Sequence, residues 1–120
     1  MIRNIILVGV GGGVGSILRY VISYLIKSNS FPYSTLVINV IGSMILGALF
    51  GLSLKNENWD AGWKAFMTAG FCGGFTTFSA FSYENVLMLQ QGKIGLSLIY
   101  TVSSIVAGIL AAYFGLKFIS

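Results

Sequence analysis

Apolar residues run through this chain in four long blocks, at about 4–26, 33–54, 65–89 and 94–116, and polar residues gather in the short connections at 27–32, 55–64 and 90–93. At ~1.5 Å of rise per residue, a helix of ~20 residues crosses the ~30 Å hydrocarbon core of a bilayer. Each block therefore predicts one membrane-spanning helix. The connections leave no room for a soluble appendage, so residues 1–120 read as a single four-helix domain. The first block is long and apolar, carries Arg19 and lacks a convincing A-x-A cleavage site. It is expected to stay in the mature protein rather than to leave as a signal peptide.

Composition agrees with the blocks. Hydrophobic residues make up 56% of the chain and charged ones 8%, with a mean hydropathy of +0.88, which leaves too little polar surface for a soluble domain. The expected class is an all-α integral membrane protein.

The third block departs from a plain anchor. Residues 70–84 read G-F-C-G-G-F-T-T-F-S-A-F-S-Y-E, combining paired glycines, small hydroxyl residues and phenylalanines with a closing carboxylate. Glycine and threonine at membrane depth suit a helix break whose freed carbonyls face protein, water or an ion instead of lipid. The third helix is accordingly expected to break near 73–77.

Charge offers a second clue. Four helices place Arg3, Lys55, Lys64 and Lys117 on one side and Lys27 and Lys93 on the other. Lys/Arg asymmetry sets orientation, and four against two is a weak bias. It admits both insertions, hence an antiparallel homodimer, and equally one orientation with the four-residue side cytoplasmic. The net charge of +4 is spread over helix flanks that would touch lipid headgroups, with no basic cluster for nucleic acid. The chain has one cysteine, Cys72, and no histidine, which excludes an intrachain disulfide and an ordinary His/Cys metal site.

Gly9/Gly13, Gly11/Gly15, Ser43/Gly47, Gly47/Gly51, Gly70/Gly74 and Gly108/Ala112 have small-xxx-small spacing, which lets helix backbones approach closely in lipid. The run from Gly9 to Gly13 is not a nucleotide loop, because no Gly-Lys-Ser/Thr follows and no strand precedes it. Four short helices enclose little volume, so a pathway is more readily built between subunits.

Arg19 and Glu84 are the formal charges well inside the blocks, and an intramembrane charge must be paired or hydrated. Arg19 either snorkels to the interface or serves a site; Glu84 is either a water-side residue or a hydrogen-bonded anchor. Asn39, within L-V-I-N-V-I-G, needs a partner for its amide. Tyr100 and Ser104 are i, i+4 with Ser103 beside them, compatible with one polar face on the last helix. Phe78 and Phe81 lie three apart, about 4.5 Å along a helix axis. That spacing alone fits packing, but Thr76, Thr77, Ser79 and Ser82 interleave with them. Aromatic edges are electropositive, so ring edges together with Asn, Ser, Thr and Tyr donors would suit a small, hard anion. Without a lysine or arginine ring, such an ion binds weakly enough to leave.

Over essentially its whole length the chain resembles the Fluc/CrcB family of fluoride channels. The resemblance rests on G-G-G-V-G-S-I-L-R-Y in the first block, T-L-V-I-N-V-I-G in the second and the 70–84 string in the third. It implies a dual-topology antiparallel homodimer in the inner (plasma) membrane, with two fluoride pores and a central structural sodium ion at the third-helix breaks. It further implies pore roles for Phe78, Phe81 and Asn39, and for the hydroxyls of Tyr100, Ser104, Thr77 and Ser82. Gly73 and Thr76 would hold sodium through backbone carbonyls, while Arg19 and Glu84 match the family's first-helix arginine and third-helix acid. Broken helices from two copies could supply four hard oxygen ligands to such a cation, whose charge would offset part of the cost of an anion in a low-dielectric bundle.

Three other functions fit less of the sequence. A small dual-topology multidrug-type transporter normally needs a membrane-embedded acid, and the first block carries Arg19 instead. A structural membrane-assembly protein leaves T-T-F-S-A-F-S unexplained. An enzyme lacks a catalytic constellation.

Overall fold

The computed structural model describes residues 1–27, 30–56 and 58–119. Ser28 and Asn29 of the first expected connection and Glu57 of the second lie outside the described residues. Helix α1 (Ile2–Leu25) is followed by α2 (Tyr33–Lys55), then by a composite third span and finally by α6 (Ile94–Ile119). The third span comprises α3 (Ala61–Ala65), a π-helix (Phe66–Cys72), α4 (Gly73–Phe75) and α5 (Phe78–Gln90). There is no strand among the described residues. Three helices, α1, α2 and α6, are each long and apolar enough to cross a membrane; the third block is helical in pieces.

Local chemistry sets the ends of these elements. The only proline, Pro32, stands immediately before α2, where the backbone N–H it lacks is not needed. Asp60 starts the third span earlier than the apolar block suggests. Its carboxylate accepts from the Trp63 N–H at 3.1 Å, satisfying one of the orphan donors of a helix start. The same oxygen pairs with Arg3 Nη2 at 3.1 Å, which ties the start of α1 to α3. That guanidinium, with the Trp63 N–H, holds the exposed Asp60 carboxyl below its ordinary range. At the far end Gly92 adopts φ +76°, and the N–H groups of Gly92 and Lys93 turn back to the carbonyls of Leu89 and Met88 at 3.1 and 2.8 Å. This is the αL glycine stop of a Schellman motif.

Glycines decide which helices touch. A side chain at Gly47 would strike the Ala112 carbonyl and one at Gly115 the Met44 carbonyl, so α2 and α6 meet backbone to backbone. Helix α1 meets the third span in the same way: Gly11 faces the Phe66 carbonyl, Gly15 the Phe71 carbonyl, and Gly74 the carbonyl of Gly12. Such close approach supplies the van der Waals contact that holds helices together in lipid. The Gly9/Gly13 pair, with the same spacing, faces open space. Tyr100, Phe75 and Ile38 are the largest fully buried side chains, whereas large apolar residues cover the outside of α1 and α6.

The helical path is interrupted at Thr76 (φ −80°, ψ 156°) and Thr77 (φ −148°, ψ 118°), both extended. The interruption is narrower than the 73–77 expected. Gly73 and Gly74 stay helical because Gly74 is used for packing on α1, and the chain leaves the helix only where Asn39 can take over its hydrogen bonds.

Candidate functional site

Backbone groups freed by the interruption find partners one by one. Asn39, from the middle of α2, accepts the Thr77 N–H on Oδ1 at 2.9 Å and donates Nδ2 to the Thr77 carbonyl at 3.2 Å. One carboxamide thus satisfies both polar groups of an extended residue, and the amide stranded in an apolar block is explained. The Gly74 carbonyl receives Arg19 Nε at 3.1 Å and Ser16 Oγ at 3.4 Å. Arg19 makes no ion pair among the described residues, where Arg3–Asp60 is the only one. Thr76 donates both its N–H and its hydroxyl to the Cys72 carbonyl, at 3.0 and 2.8 Å. Thr77 Oγ1 caps α5 by accepting the Ala80 N–H at 3.2 Å. The carbonyls of Gly73, Phe75 and Thr76 receive no hydrogen bond from the described residues. They are free acceptors beside the interruption.

A cavity of about 410 Å³ opens there. Asn39 and Ser43 of α2, Thr68 and Gly73, both threonines of the interruption, Phe78 and Phe81 of α5 and Ser104 of α6 contribute to its wall. No lysine, arginine, aspartate or glutamate is among its lining residues. The Phe78 and Phe81 rings are 5.8 Å apart at 37°, with Phe78 77% exposed at the protomer surface. Ser104 Oγ is buried with no hydrogen-bond partner among the described residues. An unsatisfied buried hydroxyl costs about 1–3 kcal/mol, so this orphan donor in the wall is suited to a polar guest.

Beyond Phe81 a second polar group begins. The Phe81 ring lies 5.0 Å from that of Tyr100. Tyr100 donates its hydroxyl to Glu84 Oε1 and Thr35 donates to Oε2, each at 2.8 Å. Glu84 is therefore held by two hydroxyls rather than by a cation. A second cavity of about 350 Å³ has Glu84 in its wall, with Lys27, Ser30 and Tyr33.

The structure thus brings Asn39, Gly73, Thr76, Thr77, Phe78, Phe81 and Ser104 around one cavity, with Tyr100 and Glu84 in sequence behind Phe81. Arg19 lies on the far side of the Gly74 carbonyl. Ser82 is half-buried on α5 and outside both cavity walls. Sequence reasoning missed Ser16, Thr35, Ser43 and Thr68. For two of them a signal existed: Thr35 is one helical turn before Asn39, and Ser16 one turn before Arg19.

These features define a small multi-pass helical membrane protein with an uncharged polar cavity at an interrupted helix. Residues 6–116 match the family described as CrcB-like protein, Camphor Resistance (CrcB). A protein of Azobacteroides pseudotrichonymphae named fluoride-specific ion channel FluC is 47% identical over 118 residues, covering 96% of this chain and 94% of that one. Proteins of the same name from Leptospira interrogans and Thermus thermophilus are 40% and 39% identical; the alignments cover 94% and 93% of this chain and 91% of each relative. The chain belongs to the CrcB family.

Proposed function

We propose that this chain is a fluoride-selective ion channel of the inner (plasma) membrane, working as an antiparallel dual-topology homodimer and letting fluoride leave the cell down its electrochemical gradient. The observation that carries the proposal is the uncharged cavity where two phenylalanine rings, the Asn39 amide and the orphan Ser104 hydroxyl meet, in a chain so similar to relatives named as fluoride channels. Fluoride is hard to dehydrate, so a pore must replace its water with donors. The Asn39 amide has a second N–H beyond the one given to Thr77, Ser104 has a free hydroxyl, and Thr77 adds a hydroxyl at the start of α5. Ring edges of Phe78 and Phe81 present positive electrostatic potential while restricting size. With no fixed cation in the wall, a bound anion is not trapped.

Exposure of Phe78 and Gly73 leaves the cavity open at the protomer surface. A second copy would close it and yield two equivalent pores. Free carbonyls at Gly73 and Thr76 suit a hard cation such as sodium, and two copies would offer four of them. When bound there, sodium would supply a fixed positive charge that lowers the cost of an anion nearby. Tyr100 and Glu84 would continue the polar path beyond Phe81, with Arg19 bracing the interruption from behind.

The test is fluoride release from proteoliposomes, followed with a fluoride electrode, alongside chloride-loaded vesicles. Rapid fluoride release without matching chloride release is expected. Intact, folded protein that releases no fluoride would overturn the proposal and return the assembly-protein and drug-transporter alternatives to the front.

A further inference from the structure

Phe81 must be held in place by something other than helix continuity. Thr76 and Thr77 are extended, so α5 is uncoupled from the glycine-packed segment before it. Only Met88 of α5 is buried, which leaves little apolar packing to fix the rotation of that helix about its axis. Its orientation must then come from polar contacts, and these are few. Asn39 holds its start at Thr77, and Glu84 holds its middle through Thr35 and Tyr100.

The third contact belongs to neither the cavity nor the Glu84 group. Asn85 donates Nδ2 to the Phe81 carbonyl at 3.0 Å and accepts on Oδ1 from Ser97 at 2.6 Å and from Thr101 at 3.1 Å. Asn85 is one turn beyond Phe81, and Thr101 is the neighbour of Tyr100. Ser97 and Thr101 are themselves i, i+4 and face α5 together. The carboxamide therefore grips two successive turns of α6 and, through the backbone, the residue that carries the Phe81 ring. Slippage by one residue in rotation would break both bonds to α6 at once and turn Phe81 away from Tyr100.

We infer that Asn85, with Ser97 and Thr101, is a positioning residue for permeation: it sets the rotation of α5 on α6 and so aims the Phe81 ring edge into the ion path. The inference rests on the proposed channel function. Asn85 touches no ion; it acts through Phe81, one turn away. A side chain of similar size that cannot hydrogen-bond should leave the helices associated while the ring loses its fixed direction.

The experiment compares Asn85→Leu with the double variant Ser97→Ala/Thr101→Val, which removes the two interhelical bonds from the other helix. Melting temperature, dimer fraction and fluoride-to-chloride selectivity are measured with fluoride flux for each. The expected result is a loss of flux of roughly tenfold, by misplacement rather than by removal of a pore group, with reduced selectivity in protein that remains folded and dimeric. In a Phe81→Leu background, where there is no ring to aim, Asn85→Leu should add little further loss, because residues acting through one another are non-additive. Wild-type flux and selectivity in folded Asn85→Leu would overturn the inference. So would a flux loss that follows only the loss of folded dimer in both variants, or full additivity with Phe81→Leu. Absence of flux in the wild type would overturn the channel proposal itself, so the two failures are distinguishable.

Discussion

Asn39 replaces two helical hydrogen bonds with one side chain, and its chemistry can be separated from its shape. In Asn39→Asp the acceptor for the Thr77 N–H survives, but the donor to the Thr77 carbonyl is lost and a negative charge enters the cavity wall. Burying that charge costs several kcal/mol more than burying a neutral group, and it repels fluoride. Asn39→Ser loses reach but adds no charge. Fluoride flux should therefore fall further in Asn39→Asp than in Asn39→Ser, measured in variants shown to be folded and dimeric; the reverse order would remove Asn39 from the ion path. The phenylalanines separate along another line. Phe78→Ile and Phe81→Ile keep bulk while removing the ring edge, so a pore role predicts a large flux loss at an unchanged melting temperature, and a packing role the opposite. At this scale the sequence disclosed which residue types mattered, because Asn39, Arg19 and Glu84 are conspicuous against an apolar background. It did not disclose that Arg19 would seek the Gly74 carbonyl rather than a carboxylate, because that partner is backbone and has no sequence identity.

The helices were legible because bilayer thickness imposes a length, and apolar blocks of that length had one plausible conformation. The composite third span was less so. Its π-helical stretch and the narrowing of the interruption to Thr76–Thr77 depend on how Gly11, Gly12 and Gly15 seat against that span, and this contact is remote in sequence. Small-xxx-small spacing was a true but incomplete guide, since it could not tell a packed glycine face from an open one. A graded test follows. Gly47→Ala and Gly115→Ala place a methyl against backbone carbonyls that cannot swing aside, and each should destabilise by about 1–3 kcal/mol, the usual penalty of overpacking. Gly9→Ala and Gly13→Ala have open space and gain helix propensity. Thermal unfolding in detergent should lower the melting temperature for the first pair only. Equal losses at all four positions would mean that Gly9 and Gly13 are covered in the assembly.

For the whole molecule, the interrupted span links ion, cation and partner. If the free carbonyls of Gly73 and Thr76 hold sodium between two copies, replacing sodium with a large organic cation should reduce flux and dimer stability together, while Thr76→Ser, which keeps the hydroxyl bonded to Cys72, stays close to wild type. Full flux without sodium would remove the cation from the proposal. The arrangement of the two copies follows from a separate argument. The lysines and arginines flanking the spans divide four to two across the bundle, too weak a bias to enforce one insertion, and an antiparallel pair would present the same cavity to both sides of the membrane. Single cysteines at Ser30 and Asn58, both exposed and in connections expected on opposite sides of the membrane, would report this in a Cys72→Ala background. In intact cells an impermeant thiol reagent should modify about half of each population, and the remainder only after permeabilisation, because each connection faces outward in one copy and inward in the other. Complete labelling at one position with none at the other would establish a single orientation. The cavity would then have to be closed by a parallel partner, and the two pores would no longer be equivalent by a two-fold axis in the membrane plane.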